Sequence, residues 1–135
     1  MSIDTSVPYE AMQTAYYTLL QGVITGNVYD EVPDKAVHPY MTFGEPVDTE
    51  SEARGVKGRL VTWPFHVWSK DAGGKFECYG IMAEIVETMT AQLVTIAGWQ
   101  EVQKTYRTGQ VRRLEKEPGL NYQGTVTFMI LMNKV

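Results

Sequence analysis

Cysteine is almost missing from this chain. A single residue, Cys78, in 135 leaves no intrachain disulfide and no cysteine cage for a metal. It suits a reducing compartment such as the cytoplasm. Histidine is nearly as scarce, at His38 and His66 only. The two lie in different elements, and neither has the i,i+4 or H-x-E setting of a recognised site. Positive charge is also short, with 12 Lys and Arg against 16 Asp and Glu, a net charge of −4 and a pI of about 5.1. That balance argues against a broad basic face that grips nucleic acid, while leaving room for a small local patch. No apolar run approaches the roughly 18–20 residues of a membrane helix. The start, MSIDTSVPYE, has neither a basic segment nor an apolar signal core. The expectation is a soluble protein, cytoplasmic where it is made. Nucleophile elbow, P-loop, dinucleotide fingerprint, internal repeat and low-complexity tract are all lacking.

What is present suits one domain spanning 1–135. Hydrophobic residues make up 44% and charged residues 21%, enough apolar side chains for a core. Eight tyrosines, four phenylalanines and three tryptophans make that core partly aromatic. The first element reads as a helix over Pro8–Thr25, capped by Thr5 or Ser6, with Pro8 in the first turn and Gly26-Asn27 as the stop. Met12, Tyr16, Leu19, Leu20 and Val23 fall at helical spacing. Extended pieces follow at Val28–Glu31 and Pro39–Glu45, joined by a turn at Pro33-Asp34-Lys35. The polar stretch PVDTESEARGVKG, 46–58, reads as a long mobile loop.

Arg59–Ser69 reads as a strand with Val61, Trp63, Phe65 and Val67 on one face. Its Pro64 removes a ladder donor and predicts an edge position or a bulge. Asp71-Ala72-Gly73-Gly74 is the turn out of it. A second helix is predicted over Lys75–Gln92, its stripe formed by Cys78, Ile81, Met82, Ile85, Met89 and Leu93, with Glu84 and Glu87 facing water. Strands close the chain at Trp99–Arg107, Gln110–Glu117 and Tyr122–Met132, the last two joined at Pro118-Gly119. The order predicts an α+β domain, an antiparallel sheet with two helices packed on one face.

Chemistry is harder to find. His38 before Pro39 reads as a turn residue and His66 as a packed or edge polar group. Cys78 lies on the core stripe, where a thiol behaves as a small hydrophobe. Asp30, Glu31, Asp34 and Glu45 fall near turns or strand ends, which suits solvated carboxylates better than a glycosidase pair. Asp48, Glu50 and Glu52 make an acidic segment, with Arg54 and Lys57 beside them. Arg107, Arg112 and Arg113, with Lys104, form the basic segment; it can touch phosphate, and on an acidic chain it fits acidic residues of a neighbouring subunit better. These eight residues, Asp48, Glu50, Glu52, Arg54, Lys57, Arg107, Arg112 and Arg113, are the candidate partner contacts. No catalytic, cofactor-binding or metal-binding residue is assigned.

The N-terminal helix, then NVYDEVPDKAVHPYMTFGE (27–45), the strand FHVWSK (65–70) running into a helix, and the closing strand YQGTVTFMILM (122–132) come in a recognisable order. In this the chain resembles the tail-completion or tail-terminator proteins of long-tailed bacteriophages and prophages. The resemblance implies an α+β subunit, a monomer in isolation until it meets a tube, that joins a hexameric ring. That ring caps the tail tube and presents a surface to the head-side connector, with no enzymatic activity, cofactor or membrane. DNA passes through the lumen without specific binding, and an acidic lining, for which Asp48, Glu50 and Glu52 are candidates, repels phosphate. Competing readings are another neck component, such as a head-completion protein, and a small ligand-binding or enzymatic domain with a pocket near His66 and Trp68.

Overall fold

A computed structural model describes residues 7–23, 28–30, 32, 38–53, 56–70, 75–115 and 120–135. The expected caps Thr5 and Ser6, the stop Gly26-Asn27, the turns at 33–35, 71–74 and 118–119, and the candidate Arg54 lie outside these residues. The chain is an α+β domain in the order α1 (Tyr9–Leu20), β1 (Val28–Tyr29), β2 (Tyr40–Phe43), β3 (Val47–Ala53), β4 (Val56–Ser69), α2 (Phe76–Ala91), β5 (Thr95–Ile96), β6 (Trp99–Glu115) and β7 (Leu120–Lys134). One mostly antiparallel seven-stranded sheet runs β1-β2-β4-β7-β6-β5, with β3 also paired to β4; among the described residues only β1 and β2 pair in parallel.

The core follows from alternation. In β4, Val61, Trp63, Phe65 and Val67 are buried, and in β7 Val126, Phe128, Ile130 and Met132 are buried. The register sets Val61 against Ile130, Trp63 against Phe128 and Phe65 against Val126, so both strands turn the same row inward. Each such side chain contributes roughly 1.5–3 kcal/mol by leaving water. Helix α1 lays Met12, Tyr16 and Leu20 onto this row, all fully buried. The Tyr16 ring meets Trp63 and Phe65 with centroids 6.1 Å away in both cases. Helix α2 contributes Cys78, Ile85 and Met89, with Glu84 and Glu87 exposed. Leu93 departs from the expected stripe. The helix ends at Ala91, two residues short of it, and Leu93 is 56% exposed.

The close seat of α2 is fitted to Gly124. A Cβ there would lie 2.5 Å from Met82 Sδ and 2.7 Å from Cys78 Sγ, so any side chain at 124 must displace those groups.

Three further expectations change. The described part of the expected 46–58 loop is largely strand: Val47–Ala53 forms β3, paired with β4 from Val47↔Thr62 to Ala53↔Val56, and residues 56–58 begin β4. A run of Asp, Thr, Glu and Ser has weak strand preference, and an edge position tolerates it because only one side needs a partner. The separate strands 99–107 and 110–117 are one strand, β6, whose pairing with β7 is shifted by irregularities between Glu101 and Gln103 and between Tyr106 and Thr108. Finally, Pro64 lies in a strand with neighbours on both sides. Opposite it the chain bends from β2 to β3 through Gly44, whose N–H donates to the Pro64 carbonyl at 2.7 Å. The missing proline donor therefore faces a break between two ladders. Gly44 is needed at that bend, since a Cβ would approach Pro64 O to 2.5 Å and His66 Nε2 to 2.9 Å.

Candidate functional site

The sheet sorts the charged candidates onto two edges. Strand β3 carries Asp48, Glu50 and Glu52, and Lys57 lies opposite Glu52 at the start of β4. Strand β6 carries Arg107, Arg112 and Arg113. Between them run β4 and β7, so the acidic and basic strands stand three strand spacings apart, roughly 14 Å. The structure does not bring the two groups together within one chain.

Asp48 is an internal tie. Its Oδ2 is 2.8 Å from Arg59 Nε, and its Oδ1 accepts from the Tyr9 hydroxyl, joining β3, β4 and α1. Burial, and then the bond to Asp48, push the Tyr9 phenol up to about 12, so it remains a donor. Glu50 and Lys57 are exposed, as are Arg107, Arg112 and Arg113. Among the described residues none of these five takes part in an ion pair.

Lys104 differs from its basic neighbours. Its side chain is 2% exposed and its Nζ lies 2.9 Å from Glu101 Oε1, whose own side chain is 0% exposed. Tyr16 donates to Glu101 Oε2 at 2.6 Å, and the Val94 N–H donates to Oε1 at 3.1 Å. Nζ also lies 5.3 Å from the Tyr16 ring centroid. Residues three apart on a regular strand point to opposite faces. The irregularity between Glu101 and Gln103 inserts a residue and turns both charges toward α1. The sequence does not reveal this cluster, because that register shift has no composition signature.

The histidines are quiet. His66 Nδ1 is 2.9 Å from Thr125 Oγ1 and 3.3 Å from Gln123 Nε2, and burial lowers its pKa. Burial, then Lys70, lower that of His38, which packs on Tyr40 with centroids 4.9 Å apart. Cys78 is buried, and desolvation followed by the nearby Glu77 pushes its thiol up to about 11, far from the reactive thiolate range. An apolar groove of about 870 Å³ runs beside α1, lined by Ala11, Ala15, Leu19, Val94 and Trp99 among others, away from His66 and Trp68. Among the described residues no three His, Cys, Asp or Glu side chains converge as a metal site would require.

What remains prominent, among the sheet's edges, is the long unpaired side of β3 and that of β6. Among the described residues no strand pairs with the outer side of β3, and none with β6 beyond Gln100, where β5 ends. Such edges bind other chains more readily than small molecules. The family described as tail completion protein gp17 matches residues 13–133, nearly the whole domain.

The chain belongs to this family.

It is accordingly a structural protein of the virion, at the tail. Among solved structures, a chain from "Virion of native gene transfer agent (GTA) particle" superposes with a TM-score of 0.81, covering 96% of this chain and 99% of that one. The two share 18% of residues, so the likeness is one of fold. Among curated proteins nothing matches. For a member of this family, the free edges and charged strands are the surfaces of interest, ahead of any pocket.

Proposed function

We propose that this chain is the subunit of a hexameric ring that caps the completed tail tube and offers its other side to the head-side connector. The observation that carries the reading is the tail-completion family match over residues 13–133. The likeness of fold to a chain from a virion supports it, as do two free strand edges on one small domain. A closed ring needs two different, complementary surfaces on each subunit. The role is structural and non-catalytic, and it uses no cofactor. A net charge of −4 suits a passage that DNA crosses without sticking. With Asp48 held by Arg59 and Tyr9, the exposed Glu50 is the stronger candidate for contact with DNA, tube or neighbour.

The test mixes purified protein with tail tubes assembled without it and, separately, with DNA-filled capsids. Electron microscopy should show density at one end of each tube and a ring in end-on views. Attachment to capsids and never to tubes would overturn the terminator reading in favour of another head–tail connector component.

A further inference from the structure

The two free edges are complementary in charge, length and direction. Strand β3 is seven residues long and carries three acidic residues and no basic one. Beyond its second irregularity β6 runs from Thr108 to Glu115 in unbroken register with β7, eight residues that include Arg112 and Arg113. Steps β3–β4, β4–β7 and β7–β6 are all antiparallel. The two outer strands therefore run in opposite directions. When copies are related by rotation about a ring axis, the next β3 meets β6 antiparallel, and the alternation continues across the junction.

We infer that β3 of one copy pairs edge to edge, antiparallel, with Thr108–Glu115 of β6 in the next copy, so that the ring is held by one sheet continued around it. The inference rests on the ring reading and adds the surface that closes it. Main-chain hydrogen bonds supply the attraction, as in other strand additions, and the charges select the partner.

Faces agree with this pairing. Glu50 is opposite Arg59, on the face of the buried row, and Arg113 is opposite Tyr122 on that same face. A continued sheet brings Glu50 of one copy to the same face as Arg113 of its neighbour. Arg112, opposite Gln123, lies on the other face with Thr49 and Ser51.

The extra strands dictate an offset. Following the registers across one chain, Thr49 aligns with Leu60, Leu131 and Gln103. Contact at that level is obstructed, because β1 stands one strand further out than β3, further along the direction of β4, and would meet the remaining length of the neighbour's β6. Sliding the contact to Thr108–Glu115 carries β1 past the end of that strand. It also clears β5, which covers β6 at Trp99 and Gln100. A sheet that closes on itself requires such a stagger between strands.

The experiment follows tail-tube capping and ring formation by wild type and three variants, with circular dichroism as the check on folding. The first variant carries Glu50→Lys and Glu52→Lys, the second Arg112→Glu and Arg113→Glu, and the third all four changes. Each two-residue variant should need about tenfold or more protein to cap tubes, because like charges then face each other. The four-residue variant and an equal mixture of the first two should recover capping. In wild type, amide exchange in Val47–Ala53 and Thr108–Glu115 should slow on ring closure; this readout needs no variant. Wild-type rings with unchanged exchange in both segments, or two-residue variants that cap normally, overturn the edge pairing and leave the ring reading intact. Wild type that never forms a ring on tubes overturns the ring reading and the pairing with it.

Discussion

Lys104 and Glu101 place a buried ion pair beneath α1, where Tyr16 and the Val94 amide occupy the remaining carboxylate positions. Breaking such a pair costs more than forming it contributes, because the surviving charge stays desolvated. Lys104→Met should lower unfolding stability by about 3–5 kcal/mol in urea titration. Adding Glu101→Gln should bring the double variant well below the sum of the two single losses; full additivity would mean that the two side chains act independently. His66 makes a second prediction, in pH. Burial holds its folded pKa below the ordinary 6.5, so the unfolded chain takes up its proton first. Its share of stability is intact above about pH 6.5 and is lost as pH falls through the window down to the folded value. His38 is shifted in the same direction and adds to the slope. His66→Gln should flatten the fall in urea midpoint between about pH 7 and pH 5, leaving the part due to His38. An unchanged slope would show that His66 is not desolvated.

Elements depend on where backbones come close. The α2 seat on β7 is one example, with the two sulfur atoms of Cys78 and Met82 over Gly124. Gly124→Val should destabilise by about 1–3 kcal/mol, read by thermal or urea unfolding, because the helix must lift from the sheet. Gly22, where a Cβ would meet nothing within 4 Å, is the control and should cost much less on change to Ala. Periodicity alone makes several elements legible in the sequence. Met12, Tyr16 and Leu20 mark α1, the alternation of Val61, Trp63, Phe65 and Val67 marks β4, and the last strand shows the same pattern. Strand β3 is illegible because its alternation is polar on polar, and periodicity registers only contrast. The unity of β6 is obscured by Gly109, which reads as a turn residue, although the strand passes through it paired to Val126. The candidate contacts are legible as two runs of opposite charge. Their placement on opposite edges is not, because it depends on the strand order β3-β4-β7-β6, which arises from long-range pairing.

At the scale of the whole molecule, those edges make association sensitive to salt in a particular way. Glu50 and the exposed Arg107, Arg112 and Arg113 lie where approaching copies first sense each other. The Debye length falls from roughly 14 Å at 0.05 M to about 4 Å at 0.5 M salt, so attraction across a gap disappears while contacts already made are little affected. Main-chain hydrogen bonds between paired strands are formed at short range and are barely screened. The rate at which copies add to a tube end should therefore drop by about tenfold or more over that salt range, with release from closed rings changing far less. Stopped-flow light scattering for addition, and dilution followed by electron microscopy for release, separate the two rates. Equal sensitivity of both would mean that solvent-exposed charges, and not the main-chain hydrogen bonds, hold the finished contact, and an insensitive addition rate would remove them from the encounter altogether.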